Sequence, residues 1–424
     1  MTTKTSRHIP FAALRHRDYR LLWTGQLISQ TGSTMQSLTI NWHISVLTNY
    51  NPLALGLVGL ARVIPIVFFS LIGGAVADAR DRRKLMILTQ SAMAIFAAVL
   101  AFLTDHGLDI IWPIYVLNAC SAAAWAFDNP ARQALIPSLV PREHLTNAMS
   151  LNSIMFQTAT IVGPTLAGFL IAGHSISIVY WINSLSFIAV IVALLFMHPV
   201  KVATRKVDLG SVREGIAFVR HQPIIWSTMT LDFIATFFSS ASQLLPIFAA
   251  KILNVGAQGF GILEAAPAIG ALLSGGTLSV FIMRIKRPGA LILWSVALYG
   301  LATLAFGIST SFILSLIFLG LTGIADNVST ILRSTIRQLV TPDHIRGRMT
   351  SVNMIFFMGG PQLGELEAGV VAALIGAPLS VITGGLGCLI AVALVAWKVP
   401  MLRKFDEDDL MRAGEALAVG AMRK

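Results

Sequence analysis

The sequence predicts an all-α membrane protein with twelve transmembrane helices, arranged as two pseudo-symmetric six-helix bundles. Three observations predict this fold class. Of the 424 residues, 55% are hydrophobic and only 12% are charged, against about 25% charged in an average soluble protein. Twelve apolar runs each approach the ~20 residues that cross a bilayer, and the last six runs repeat features of the first six.

The apolar runs define the expected organisation of the chain. They lie at 21–47, 54–77, 85–104, 110–135, 146–172 and 177–197, and then at 224–250, 257–282, 288–308, 311–335, 349–374 and 378–399. We therefore expect an N-terminal segment (1–20), a first bundle (21–197), a linker (198–222), a second bundle (223–399) and a C-terminal tail (400–424). In the linker, apolar residues recur at helical spacing and predict a short amphipathic helix along the membrane surface.

The distribution of positive charge predicts the orientation. With both termini in the cytoplasm, 29 of the 31 Lys and Arg residues fall in the terminal segments and the connections on that side. Only Arg62 and Lys251 lie elsewhere. This asymmetry follows the positive-inside rule, so the net charge of +11 indicates topology and not a nucleic-acid partner.

Residues of the first half return in the second half at a nearly constant offset. The pair Gly73–Gly74 corresponds to Gly275–Gly276, and Asp128–Asn129 corresponds to Asp326–Asn327. Gly163–Pro164 likewise returns as Gly360–Pro361. A parallel duplication of six helices is typical of transporters that bind substrate between their two halves.

The turn after the second apolar run carries a family resemblance. Its sequence GGAVADARDRRK resembles the loop between helices two and three of major facilitator transporters. The matching positions are Gly74, Asp78, Arg82, Arg83 and Lys84. The tract FDNPARQALIPSLVPREHLTNAMSLN and the late RGRMTSVNMIFFMGGPQLGELEAG are similar to the drug, siderophore and macrolide exporter branch, close to the enterobactin exporters and transmembrane secretion effectors. The resemblance implies export.

A second motif lies in the fifth apolar run. Its Gly163, Pro164 and Gly168 resemble the antiporter motif of the same superfamily. There, the resemblance implies a kinked helix that lines the interface between the bundles. Gly-Pro also occurs in ordinary packed membrane helices.

Charged residues inside the apolar runs are candidates for function, because each costs at least ~2.5 kcal/mol at the bilayer centre unless it is paired or hydrated. Arg62, Glu264, Glu365 and Glu367 all come out about 10 to 14 Å below the outer surface at 1.5 Å per residue. In the fold that the chain resembles, helix two packs beside helix eleven. We therefore expect Arg62 to pair with Glu365 or Glu367 when the outer side is closed; a permanent structural ion pair is the alternative.

Further polar residues lie in other apolar runs and in the 2/3 turn. Asp78, Arg82, Asp128 and Arg132 are expected to form a latch between the 2/3 turn and helix four. Asp232 has no evident partner in the sequence and is a candidate proton carrier, or else a hydrated residue near the inner mouth. Gln26, Gln30, Gln36 and Asn41 suit either a cavity wall or hydrogen bonds between helices.

No pattern of catalytic chemistry is present in the sequence. It contains no GxxxxGK[ST] phosphate loop, its histidines show no metal-ligand spacing, and Cys120 and Cys388 lie inside apolar runs. We expect no cofactor, no metal and no nucleic-acid partner. The sequence is interpreted as a monomeric inner-membrane secondary transporter, a proton-coupled exporter of a small organic molecule in contact with membrane lipid. A lipid flippase of the same fold is the alternative, and a membrane-embedded enzyme or a sensor is remote.

Overall fold

The computed structural model describes residues 11–108, 110–198, 217–239, 241–281, 285 and 287–406. Within these ranges the chain is helical and has no strand. Twelve long helices follow one another in chain order: α1 Arg17–Leu47, α2 Pro52–Ala79, α3 Arg82–Asp105, α4 Ile111–Leu139, α5 Leu145–Gly173, α6 Ile176–Phe196, α7 Pro223–Phe238, α8 Gly256–Phe281, α9 Pro288–Ile308, α10 Phe312–Val340, α11 Asp343–Ile375 and α12 Ala377–Lys398. The predicted fold class is confirmed.

Nine of the described helical segments are long and apolar enough to cross a membrane. The helices α1, α4 and α11 fall outside this set, and they are the ones that hold many of the polar candidates. Polar groups in such helices are kept where neighbouring helices or water satisfy them. The three less apolar helices are therefore the first place to look for a functional site.

Local sequence signals set several helix starts. Asp81 is the N-cap of α3 and accepts hydrogen bonds from the backbone N–H groups of Arg83 and Lys84 at 3.0 and 3.3 Å. Ser175 caps α6 in the same way. Helices α7, α9 and α12 have proline in their first turn, where the missing N–H has no intrahelical partner to lose.

The seventh span is broken, contrary to the single helix expected over 224–250. α7 ends at Phe238 with Ser239 as its C-cap, and a 3₁₀ turn (Ala241–Leu244) and a π-helical segment (Phe248–Ile252) follow. Pro246 lies between them and has no backbone N–H for a continuous helix. The buried side chain of Gln243, in the 3₁₀ turn, forms hydrogen bonds with α1 and α2.

The chain folds into two compact units. Unit 1 comprises Met1–Thr39 and Ile64–Val207, and unit 2 comprises Ile40–Val63 and Asp208–Lys424. The later parts of α1 and the start of α2 thus belong with the second half, a division that the sequence boundaries did not anticipate. In unit 1, α3 packs against α4 and α6; in unit 2, α9 packs against α10 and α12, the corresponding helices of the repeat.

Most of the predicted linker helix lies outside the described residues. Residues 217–221 are helical, and Val219 is buried in the apolar core of unit 2. Val212 and Ile216, the other apolar positions of that helix, lie outside the described residues.

Candidate functional site

One charged cluster lies in unit 2, where residues 40–63 meet the second-half helices. Arg62 of α2 is within electrostatic range of both Glu264 of α8 and Glu365 of α11. The charge of Glu365 also acts on Glu264. The Oε2 atom of Glu264 is buried and has no hydrogen-bond partner in the described part of the chain. The charge of one guanidinium therefore acts on two carboxyl groups. Glu367 is half-buried two residues further along α11.

Glycines bring the backbones of α2 and α11 close enough to form this cluster. A Cβ on Gly56 would lie 3.1 Å from the Cα of Gly369, and a Cβ on Gly59 would lie 2.6 Å from Oε2 of Glu365. A larger side chain at Gly59 would displace the glutamate. The contact of Glu365 with α2 is therefore built into the helix packing.

The break after α7 adds a second contact to the same region. The side chain of Gln243 donates hydrogen bonds to Oδ1 of Asn41 at 3.2 Å and to the carbonyl of Leu55 at 2.6 Å. Lys251 is one of the two basic residues outside the predicted cytoplasmic segments. It donates to the carbonyl of Asn49 at 3.1 Å. These bonds join the α1–α2 corner to the seventh span within unit 2.

A separate polar network lies in the core of unit 1. Arg132 donates to Oε1 of Gln26 and to Oδ1 of Asn129, both at 3.1 Å. Its guanidinium also lies over the ring of Phe156, 4.9 Å from the centroid. Arg132 is 3% exposed. This arginine, which the charge distribution assigned to a cytoplasmic connection, is therefore buried in a helix.

Asp128 belongs to the same network but contacts a different helix. Its Oδ1 atom accepts hydrogen bonds from Thr89 at 3.0 Å and from Gln90 at 2.9 Å, both on α3. The latch was expected to place Asp128 with Arg82. Instead, the guanidinium of Arg82 donates to the carbonyl of Ala134 on α4 at 2.8 Å, so a bridge from the 2/3 turn to α4 exists and uses backbone.

The remaining residues of the 2/3 motif are distributed as follows. Arg83 donates to the carbonyl of Leu195 on α6 at 2.8 Å, Lys84 is exposed, and Gly74 is half-buried. Asp78 lies near the end of α2, and its side chain is outside the described residues.

The corresponding network of unit 2 corrects one expectation. Asp232 does have a partner: its Oδ1 atom forms an ion pair with Arg333 of α10 at 2.7 Å, and both side chains are nearly inaccessible. Arg333 also lies 3.7 Å from Asp326, whose side chain is 51% exposed. The sequence did not identify Arg333 as a site residue, because its position near the end of a helix assigned it to the cytoplasmic connection that follows.

Each network borders a cavity. In unit 1 a cavity of about 10 Å³, room for about one water molecule, is lined by Gln26 and Arg132. In unit 2 a cavity of about 10 Å³ is lined by Asp232, Asp326 and Arg333. The hydroxyl of Ser329, which also lines the second cavity, is buried and has no hydrogen-bond partner among the described residues.

The helix-five motif forms a close helix contact. A Cβ on Gly163 of α5 would overlap the hydroxyl of Thr34 of α1, and this hydroxyl donates to the carbonyl of Ala159 at 2.8 Å. Pro164 and Gly168 are buried in the same helix. Gly360 of α11 makes the equivalent contact with Thr236 of α7.

Three of the four polar residues predicted in α1 form hydrogen bonds between helices, the second of the two roles considered for them. Gln36 accepts from Asn183 of α6 at 2.7 Å, Asn41 exchanges bonds with Gln243, and Gln26 accepts from Arg132. Gln30 is half-buried. Gln26 also lines the unit 1 cavity, so it has both roles.

Comparisons with known proteins agree with this architecture. Residues 8–418 match the family described as transmembrane secretion effector. The enterobactin exporters of Escherichia coli O1:K1 and of Shigella boydii serotype 18 are each 25% identical over 397 residues, which cover 92% of this chain and 94% of theirs.

Solved structures share the fold at low sequence identity. A bacterial homologue of the human lysosomal transporter spinster has a TM-score of 0.72 and 14% identity, and the match covers 92% of this chain and 98% of that one. A bacterial homologue of the iron transporter ferroportin has a TM-score of 0.69 and 16% identity over 90% of this chain and 98% of that one. The chain is a multi-pass membrane transporter and belongs to the transmembrane secretion effector family of the major facilitator superfamily.

Proposed function

We propose that this transporter exports a small organic molecule across the bacterial inner membrane by alternating access, and that protons drive the export. Similarity to exporters over almost the whole chain supports the direction of transport. The observation that carries the proton coupling is the cluster in which Arg62 faces both Glu264 and Glu365.

The charge count of this cluster supports one bound proton. A single guanidinium balances a single carboxylate, and a second uncompensated carboxylate would cost at least ~2.5 kcal/mol in the hydrocarbon region. Glu264 and Glu365 therefore share one proton in this arrangement. Glu264, with a buried oxygen that has no hydrogen-bond partner among the described residues, is the carboxyl that gains more from protonation.

The position of the cluster supports coupling to the conformational change. Arg62 lies in the segment that packs against the second-half helices, so outward opening separates Arg62 from the two glutamates. Separation leaves both carboxyls without their cation, and proton uptake from outside then compensates them. Proton entry and outward opening become one linked step.

Export from inside-out vesicles tests this coupling. The Glu365→Gln variant mimics permanent protonation. We therefore expect substrate binding to persist, while export loses its dependence on the pH of the vesicle lumen, which corresponds to the outside of the cell. Arg62→Ala alone should impair export more than Arg62→Ala combined with Glu365→Gln, because the single change strands buried carboxylates.

Glu367→Gln is the matched control on the same helix. Glu367 has no comparable interaction with Arg62 in the described part of the chain, so this variant should keep pH-dependent export. The coupling proposal fails if Glu264→Gln and Glu365→Gln both export at the unaltered rate with the unaltered pH dependence. A panel of drugs and siderophores supplied to the same vesicles identifies the substrate.

Cytoplasmic termini complete the proposal, supported by the positions of the 29 bases. A phosphatase reporter fused after Lys424 should be inactive in intact cells, and a fluorescent protein fused there should be bright. The opposite pair of results would contradict this topology.

A further inference from the structure

Residues at the α1–α2 corner contact their own counterparts in the sequence repeat. The amides of Asn41 and Gln243, which are 202 positions apart, donate to each other's oxygens at 3.4 and 3.2 Å. Lys251 donates to the carbonyl of Asn49 at 3.1 Å, again across 202 positions. The glycine pairs of α2 and α8 have the same offset. A contact between counterparts lies on the two-fold axis that relates them, and we call these two pairs the corner contact.

The corner contact joins two loops with unfavourable backbone conformations. Among the described residues other than glycine, four have a positive φ. Three of them lie here: Asn49 (52°) and Tyr50 (64°) in the α1–α2 corner, and Asn254 (53°) three residues after Lys251. A residue with a side chain is strained in this region, and a bulky one such as Tyr50 more than asparagine. The surrounding contacts therefore hold both loops against their backbone preference.

Lys251 holds the corner from the exposed side. Its ammonium group donates to the carbonyl of Asn49 and lies 5.0 Å from the ring centroid of Tyr50, so one cation contacts both strained residues. The ring of Tyr50 packs edge-on against Trp42, which stacks on Phe260 of α8. Because Lys251 is exposed, its replacement would leave no cavity in the core.

Gln243 holds the same corner from the buried side. The residue is 3% exposed, and its Nε2 atom also donates to the carbonyl of Leu55 at 2.6 Å. Gln243 lies in the 3₁₀ turn of the broken seventh span, and Lys251 lies in the π-helical segment that follows. Such irregular helical turns are frequent at functional sites. The break therefore supplies both donors of the corner contact.

We propose that Gln243 and Lys251 keep the outer end of the transporter closed by holding the α1–α2 corner in a strained conformation, and that relief of this strain favours outward opening. Both are positioning residues. Opening separates counterparts, so the bonds to Asn41 and Asn49 break together, and the corner backbone then relaxes. The corner contact thus sets the equilibrium between the closed and open outer ends. The inference rests on the proposed alternating access and orientation.

A cysteine at position 45 reports the opening in intact cells. Ser45 is 0% exposed and lies one turn after Asn41 on α1, and Ser45→Cys replaces a single heavy atom. The rate of its reaction with a membrane-impermeant maleimide measures how often the outer end opens. The protein without this change gives the background from Cys120 and Cys388.

Replacement of the two donors tests the corner contact. Lys251→Met keeps the length of the side chain and removes its charge, so we expect labelling to be about threefold faster. Lys251→Arg is the matched control: it keeps a donor and a cation near Tyr50, and its labelling should stay within about twofold of the unaltered rate. Gln243→Met removes buried hydrogen bonds, so labelling should be about tenfold faster.

Two outcomes would overturn the proposal. One is unaltered labelling in Lys251→Met, and the other is equal acceleration by Lys251→Met and Lys251→Arg. Because Lys251 is exposed, these two variants decide the question even where Gln243→Met does not fold.

Two changes at Asn49 test the strain separately, because Lys251 bonds to the backbone carbonyl of this residue. Asn49→Gly adopts a positive φ without a steric cost, whereas Asn49→Ala is more strained there. We expect labelling to be about twofold slower in Asn49→Gly and about twofold faster in Asn49→Ala. Equal rates, or the reverse order, would overturn the role of strain.

Labelling requires neither a gradient nor a substrate, so it is separable from export. Faster labelling of Lys251→Met without export of any tested compound would contradict the proposed function and leave the corner contact intact. Export with unaltered labelling of Lys251→Met would do the opposite. Acceleration that appears only in inside-out vesicles would place the corner on the cytoplasmic side and overturn the proposal.

Discussion

Units 1 and 2 each bury one arginine at the same depth in corresponding helices, but they compensate its charge differently. Arg132 lies seven residues before α4 ends, and Arg333 lies seven residues before α10 ends. Arg132 bonds to neutral amide oxygens, whereas Arg333 forms an ion pair at 2.7 Å. Helix positions therefore repeat between the halves more faithfully than charges do.

The difference gives the two cavities opposite net charge. The lining of the unit 1 cavity holds one guanidinium and no carboxylate, whereas the lining of the unit 2 cavity holds one guanidinium and two carboxylates. Packing contacts, in contrast, are kept: Gly163 meets Thr34 as Gly360 meets Thr236. In a duplicated scaffold the glycine contacts preserve the fold, and the polar residues beside them are free to acquire different roles.

The largest effect is expected from breaking the unit 2 ion pair. Asp232→Asn leaves Arg333, which is 2% exposed, without its close carboxylate, and the second buried base Arg337 loses the same attraction. Loss of one partner of a buried pair costs about 3 kcal/mol. Unfolding by SDS titration in mixed micelles measures this loss.

A double variant separates charge from packing in that experiment. Asp232→Asn combined with Arg333→Gln removes both charges, so it should recover at least half of the lost stability. Equal stability of the single variant and the unaltered protein would show that Asp326 alone compensates Arg333. The ion pair would then not distinguish the two halves.

The fold could be predicted from the sequence because hydrophobic length and charge asymmetry act over whole segments. A run such as 85–104 needs no tertiary contact to identify it as a span, and α3 was found at Arg82–Asp105. The sequence did not predict the break after Phe238. Pro246 is the main local sign of this break, but several other helices contain proline and are continuous. Pro130 and Pro137 lie inside α4, for example.

The site could be predicted only in part because pairing depends on distance between helices. The residues Arg62 and Glu365 were suggested by their equal depth, and the structure places them within electrostatic range. Arg333 was missed because the count of basic residues treats every arginine near a helix end as a loop residue. Alignment of the two halves by the ends of α4 and α10 would have matched Arg132 to Arg333.

A smaller effect is expected from filling the glycine contact that both units share. In Gly163→Ala the new Cβ would overlap the hydroxyl of Thr34 and lie 2.8 Å from the carbonyl of Thr31. In Gly360→Ala the nearest backbone atom, the carbonyl oxygen of Phe233, is 3.1 Å away. We expect Gly163→Ala to cost about 2 kcal/mol and Gly360→Ala about 1 kcal/mol, measured by the same unfolding assay.

The matched control for the glycine pair shortens the threonine. Thr34→Ala combined with Gly163→Ala removes the overlap with the hydroxyl and leaves the backbone contact, so it should recover part of the loss. A greater cost for Gly360→Ala than for Gly163→Ala would contradict the idea that unit 1 has the tighter helix contact.

A last comparison separates two aspartates that precede these arginines in α4 and α10. Asp128 is 2% exposed and accepts hydrogen bonds from Thr89 and Gln90, so Asp128→Asn should cost about 1 to 2 kcal/mol through the weakened bonds. Asp326 is 51% exposed and 3.7 Å from Arg333, so screening should keep the cost of Asp326→Asn below about 0.5 kcal/mol. Unfolding assays on both variants check these two expectations. A loss of stability in Asp326→Asn as large as that in Asp128→Asn would show that the exposed aspartate serves the fold, as the buried one does.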